Sequence, residues 1–126
     1  MKTATVYLKN LKIAPRKIRL LADLVRGQNT AWAIGQLKAS VKKNAVFLEK
    51  LILAGEAAFM EKNKDINDKK DLYIKSVKVD GGPVLKRRLI MSRGRAGSIR
   101  KRSSHITLTI STKESIEKIN QKEKII

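Results

Sequence analysis

Cysteine is absent from this chain, and proline, histidine and aromatic residues are scarce. Without cysteine there is no disulfide framework, thiolate zinc site or cysteine nucleophile. The single histidine, His105, has no second imidazole with which to share a metal and would have to carry any nucleophilic triad alone. Ser103 and Ser104 stand beside it at adjacent positions, which point to opposite faces of a strand, and Lys101 and Arg102 suit phosphate contact better than proton transfer. Asp65, Asp68 and Asp71 lack the spacing and closing glutamate of an EF-hand loop. Gly81-Gly82-Pro83 and Gly94-Arg95-Ala96-Gly97 do not form a phosphate-binding glycine loop between a strand and a helix. The aromatics are Tyr7, Trp32, Phe47, Phe59 and Tyr73, and none interleaves with the most basic block, which argues against a stacking platform for single strands. No apolar run approaches the roughly 18 residues that would span a bilayer. The opening Met1-Lys2-Thr3-Ala4 lacks the apolar stretch of a signal peptide, so the expected address is the cytoplasm or an organelle that makes its own proteins. A non-enzymatic protein without metal or cofactor is expected.

Acids are the other scarcity. The 126 residues carry 29 Lys and Arg against 11 Asp and Glu, a net charge of +18. With 42% hydrophobic residues the chain has too much to bury to be a disordered basic tail. The excess is uneven. Residues 31–83 hold ten bases and seven acids, whereas residues 84–105 hold eight bases, Lys86, Arg87, Arg88, Arg93, Arg95, Arg100, Lys101 and Arg102, and no acid. The first thirty residues hold seven bases, Lys2, Lys9, Lys12, Arg16, Lys17, Arg19 and Arg26, opposed only by Asp23. An acid-free block repels itself and calls for a polyanion. Six of its eight bases are arginine, whose planar fork grips phosphate through paired hydrogen bonds and stacks on bases.

Periodicity places these blocks. Val6 and Leu8 among polar residues predict a short strand over 5–12. Pro15 can open a helix whose apolar face is Ile18, Leu21, Leu24 and Val25, with Gly27 as its stop. Thr30 is expected to cap a second helix carrying Trp32, Ala33, Ile34 and Leu37, and Ser40 a third running to about Lys62 with Val41, Ala45, Leu48, Ile52 and Phe59 on one face. Lys64 to Asp71 reads as a loop. A strand begins at Leu72, with a bulge expected near Ile74 and Lys75, and strict alternation of Ile106, Leu108 and Ile110 with Thr107, Thr109 and Ser111 predicts another. Two strands thus bracket the acid-free block. Their simplest connection is a long antiparallel hairpin over about 84–105, with arms of about ten residues turning near Ser92-Arg93-Gly94. An isolated two-stranded ribbon is marginal in water, so this arm must be ordered by what it enters.

The runs Arg16-Lys17-Ile18-Arg19-Leu20-Leu21-Ala22-Asp23-Leu24-Val25-Arg26-Gly27, Val79-Asp80-Gly81-Gly82-Pro83, Gly94-Arg95-Ala96 and Lys101-Arg102-Ser103-Ser104-His105-Ile106, in this order and spacing, resemble the large-subunit ribosomal protein twenty-two family of bacterial or organellar type. The resemblance spans roughly Lys9 to Ser111. It implies an α+β domain over 1–111, three helices packed on a small antiparallel sheet with a protruding hairpin, followed by a tail over 112–126. It implies binding to 23S ribosomal RNA, a role in subunit assembly, and a hairpin lining the peptide exit tunnel among other large-subunit proteins and the nascent peptide. The expected RNA contacts are Lys9, Arg16, Lys17, Arg19, Arg26, Lys86, Arg87, Arg88, Arg93, Arg95, Arg100, Lys101, Arg102, Ser104 and His105, and the expected tip is Ile90, Met91, Ser92, Arg93 and Gly94. Ile90-Met91 stands where the family commonly has Pro-Arg.

Two rival readings explain the charge less completely. A non-specific nucleic-acid-packaging protein would bind any duplex alike, and an RNA-modifying enzyme would need a constellation that His105 alone does not supply. Replacing Arg95 or Lys101 with alanine is expected to weaken RNA binding and to flatten the dependence of log affinity on log salt by about one per lost phosphate contact. Filter binding across a salt series measures this, and an unchanged slope would refute the assignment.

Overall fold

Residues 2–65, 71–112 and 121 are described in a computed structural model of the chain. In chain order they form β1 (Thr3–Leu11), α1 (Pro15–Val25), α2 (Thr30–Ala39), α3 (Ala45–Lys62), β2 (Leu72–Gly81), β3 (Leu85–Ile90), β4 (Ala96–Lys101) and β5 (Ser104–Thr112), with a 3-10 turn at Ser92–Gly94. The result is the expected α+β architecture. Of the expected loop, residues 66–70 lie outside the described set, as does the expected tail apart from position 112 and position 121.

The strands form one three-stranded antiparallel sheet in the order β1-β5-β2 and a separate two-stranded ladder of β3 and β4. The alternation in β5 sends Ile106, Leu108 and Ile110 to one face, where they are fully buried with Leu72, Ile74, Val77 and Val79 of β2. The expected bulge falls between Ile74 and Ser76, and it is what brings Leu72 and Ile74 into phase with Val77 and Val79 despite the slip in the sequence pattern. Ile18, Leu21, Ala22 and Val25 of α1, Ala33 and Leu37 of α2, and Leu48, Ile52 and Phe59 of α3 complete this single core. Each of the larger side chains among them, fully buried, contributes about 1.5–3 kcal/mol.

α3 lies close against the sheet at Gly55, which is buried. A Cβ there would lie 2.6 Å from Ile110 Cδ1 and 3.4 Å from Leu108 Cδ2. The absence of a side chain therefore sets the distance between the main helix and the central strand. No described helix is long and apolar enough to cross a membrane.

Several local expectations need correction. Asn29, not Thr30, caps α2: its Oδ1 accepts from Ala31 N at 2.9 Å, while Thr30 is inside the helix and fully buried. Ser40 does not cap α3. It ends α2, and its Oγ accepts from Lys42 N in the connecting turn, so α3 begins only at Ala45 and Val41 is 99% exposed. Leu24 and Trp32 are exposed, while Ala22 and Ala33 are fully buried on the core-facing sides of their helices.

Gly55→Ala is expected to cost about 1–3 kcal/mol through overpacking. Ile110→Val removes the atom in the way at a cost of about 0.5–1.5 kcal/mol. Urea unfolding of the double variant should therefore show less destabilisation than the two single changes added together.

Candidate nucleic-acid interface

The β3–β4 ladder runs from Leu85 opposite Lys101 to Ile90 opposite Ala96, whereas the β2–β5 ladder stops at Gly81 opposite Ser104. The expected continuous arms of about ten residues are thus two shorter arms of six, separated from the sheet by Gly82-Pro83-Val84 and Arg102-Ser103. Pro83 has no N–H to continue a ladder. At ~3.3 Å per residue the arms extend roughly 20 Å. The root is held by two hydrogen bonds: Gly82 N donates to the Ser103 carbonyl at 2.8 Å, and Ser103 Oγ donates to the Pro83 carbonyl at 2.6 Å. A side chain at Gly82 has no room, since its Cβ would lie 2.5 Å from Ser103 Oγ.

At the other end Met91 N donates to the Arg95 carbonyl at 2.8 Å and closes the tip. The turn falls at Ser92–Gly94 as expected, with Gly94 at φ 70° and Arg93 also left-handed at φ 59°. A non-glycine residue held there costs about 1 kcal/mol. Ile90, at 92%, is the most exposed side chain of the tip's apolar pair, while the Met91 thioether folds over Gly97.

Strand parity divides the bases of the arms. Lys86 faces Arg100 and Arg88 faces Ser98 across the ladder, which gathers three bases on one face. The other face pairs Arg87 with Ile99, Leu85 with Lys101 and Leu89 with Gly97. Leu85, Leu89 and Ile99 are exposed and form an apolar strip among its two bases. Leu85, Arg87 and Leu89 share strand parity, so the sequence itself puts the two leucines on one face. All eight bases of residues 84–105 are exposed, and none forms an ion pair among the described residues.

The N-terminal bases separate into two kinds. Lys9, Arg16 and Lys17 are exposed with no internal partner among the described residues. Arg19 and Arg26 are also exposed but serve the fold: Arg19 Nη2 donates to the Val79 carbonyl at 3.2 Å and Arg26 Nη2 to the Val77 carbonyl at 2.9 Å, while Arg26 Nη1 reaches Asp23 Oδ1 at 2.6 Å. Just upstream, Gly27 N donates to the Ile74 carbonyl and Ile74 N to the Gln28 carbonyl. Together these bonds cover the outer edge of β2, a strand edge that would otherwise stand open.

Ser104 must be withdrawn from the RNA contacts. It shares a face with Ile106, Leu108 and Ile110, is fully buried, and its hydroxyl donates to the Ile13 carbonyl. His105 points the other way and is half-buried; its Nδ1 accepts from Asn10 N at 3.0 Å, where Asn10 takes φ 57° in the bulge of β1. That bond commits Nδ1 as an acceptor and leaves Nε2, beside Gly82, as the nitrogen that carries the proton in a neutral ring.

The basic helix edge, the hairpin with its root and most of the three-stranded sheet lie within one continuous match: the profile of the family described as Ribosomal protein L22p/L17e covers residues 6–111. The chain belongs to this family. It is similar to the large ribosomal subunit protein uL22 of Cytophaga hutchinsonii, at 48% identity over 105 residues, 82% of this chain and 58% of that protein. The protein of the same name from Christiangramia forsetii is 44% identical over 85% of this chain and 80% of its own length, and that of Flavobacterium psychrophilum 43% identical over 93% and 86%. The family is structural rather than enzymatic, in agreement with the expectation for this chain. The L22p/L17e match also ends at Ser111, one residue before the end of β5.

Ser104→Ala leaves the Ile13 carbonyl without its donor and is expected to lower unfolding free energy by about 1–2 kcal/mol while leaving the salt slope of RNA binding unchanged. Arg102→Gln should do the reverse. Urea unfolding and filter binding on both variants distinguish the buried role from the surface one.

Proposed function

We propose that this chain is a structural, RNA-binding constituent of the large ribosomal subunit. It grips 23S ribosomal RNA by phosphate neutralisation and shape recognition, assists assembly of the subunit, and sends its hairpin inward to line the peptide exit tunnel beside other large-subunit proteins and the nascent peptide. The observation that carries this reading is the arm of eight exposed bases without a single acid, held out from the domain on a pinned root.

Guanidinium and ammonium groups on a narrow ribbon can enter between RNA helices where a globular surface cannot, and each phosphate they contact releases a counterion. Lys86, Arg87, Arg88, Arg93, Arg95, Arg100, Lys101 and Arg102 make these contacts. Lys9, Arg16 and Lys17 make others at the base of the domain, and His105 offers an N–H. Arg19 and Arg26 contribute charge with the donors that the β2 edge leaves over. Family membership supports the large subunit as the site of action, since the relatives are named for it.

The native protein is expected to co-sediment with large subunits and to remain there after a high-salt wash. In isolation it should bind a folded fragment of large-subunit ribosomal RNA roughly a hundredfold or more tighter than duplex DNA of the same length. Equal affinity for the two would favour a packaging role and overturn the proposal.

A further inference from the structure

The face of the three-stranded sheet that points away from the helices adds no hydrophobic side chain to the core, and beyond the Thr3–Ser111–Tyr73 row, where Ser111 is fully buried, it is built from an unusual set of side chains. Rows that face the helices are apolar: Val6, Leu108 and Val77 stand abreast, as do Leu8, Ile106 and Val79. The intervening rows face outward. One is Thr5, Thr109 and Ser76, in which the two threonine hydroxyls lie 3.3 Å apart; the next is Tyr7, Thr107 and Lys78.

Tyr7 is 64% exposed, the largest exposure of any aromatic side chain in the described residues. Its ring lies on the outer edge strand, beside a threonine, with the exposed Lys78 two strands away, at roughly 10 Å. Lys9, also exposed, follows two residues later at the start of the β1 bulge. Toward the hairpin the next row holds His105 opposite Asp80, and the pair after it, Gly81 and Ser104, is the last rung before the arm.

We propose that this face is a second RNA-contact surface, on which an unpaired base stacks on Tyr7 while Lys78 and Lys9 hold the adjoining phosphates. The inference rests on the RNA-binding reading above and extends it from Lys9, an expected contact, to Tyr7 and Lys78, which were not among the expected contacts. A protein partner needs an apolar centre to bury, and these rows offer none. Hydroxyls, two ammonium groups and one exposed ring are instead the complement of a nucleotide: the ring takes the π-face of the base, the threonines and serine take 2′-hydroxyl and phosphate oxygens, and the ammonium groups supply the opposite charge. The face is also continuous with the hairpin root, so a strand of RNA that follows the arm back to the domain crosses it. Asp80 is the one acid in this path, and it stands at the root beside His105, a row beyond the Tyr7 platform.

The test is filter binding of the full chain to a folded fragment of large-subunit ribosomal RNA over a salt series, with Tyr7→Thr, Tyr7→Phe and Lys78→Gln beside Arg100→Ala as a hairpin control. Threonine suits an exposed strand position among threonines, and thermal melting confirms that each variant is folded. Tyr7→Thr is expected to weaken binding at least about fivefold at every salt concentration with the slope unchanged, because stacking releases no counterion. Tyr7→Phe should bind within about twofold of the parent, and Lys78→Gln should reduce the slope by about one. Should Tyr7→Thr and Lys78→Gln bind like the parent while Arg100→Ala is weakened, the sheet face is no RNA surface and the hairpin reading stands. If Arg100→Ala also has no effect, the RNA-binding reading fails with it. A Tyr7→Phe variant as weak as Tyr7→Thr would assign the contact to the hydroxyl and overturn stacking.

Discussion

The pairing of β5 with both β1 and β2 is the constraint on which the remaining structure depends. It joins the third residue of the chain to the one hundred and eleventh, so the largest loop closure by strand pairing among the described residues is made by β5. β5 is central, its inward row is fully buried, and the main helix rests on it through the side-chain-free contact at Gly55. Because β2 and β5 are neighbours, the segment between them has nowhere to go but outward from the end of the sheet. The arm is a consequence of this pairing as much as of its own sequence.

Electrostatics then divides the molecule. Burial of an unpaired charge is costly, and the bases of residues 84–105 have no acids among them with which to pair locally, which favours their display away from the core. They are displayed on a ribbon that the rest of the protein barely touches. The root bonds between Gly82, Pro83 and Ser103 set the direction in which that ribbon leaves, and they do so with backbone groups and one hydroxyl, without drawing on any of the charges it presents. Arg19 and Arg26 obey a different logic: their guanidinium groups satisfy carbonyls on the outer edge of β2, beyond the short stretch where Gly27 and Gln28 already bond Ile74, and seal a side on which no described strand pairs.

Elements with a strong period were legible in advance. The apolar spacing of Ile18, Leu21 and Val25, of Leu48, Ile52 and Phe59, and the alternation through Ile106, Leu108 and Ile110 all correspond to buried faces, since side-chain direction within a regular element follows from the backbone repeat. Helix starts were less legible. Ser40 and Thr30 have the chemistry of caps, as do Asn29 next to Thr30 and Asn44 four residues after Ser40, and the choice between such candidates depends on where the chain turns to bring the helix onto the core. Ser104 was misread for a related reason. A serine in a run of basic residues looks like a surface contact, but one step of strand parity from Ile106 puts it inside, bonded to Ile13 more than ninety residues away in the chain.

By itself the sequence determined the class of partner, the amphipathic faces of the helices and the central strand, and the position of the basic arm between two strands, because charge composition and periodicity are properties of local stretches of chain. Tertiary structure decided which bases remain free, which hydroxyls are buried, how far the arm extends beyond its root, and that Tyr7 and Lys78 share one exposed row. Those facts depend on register between strands distant in sequence and on which carbonyls a folded edge leaves open, and no local pattern contains them.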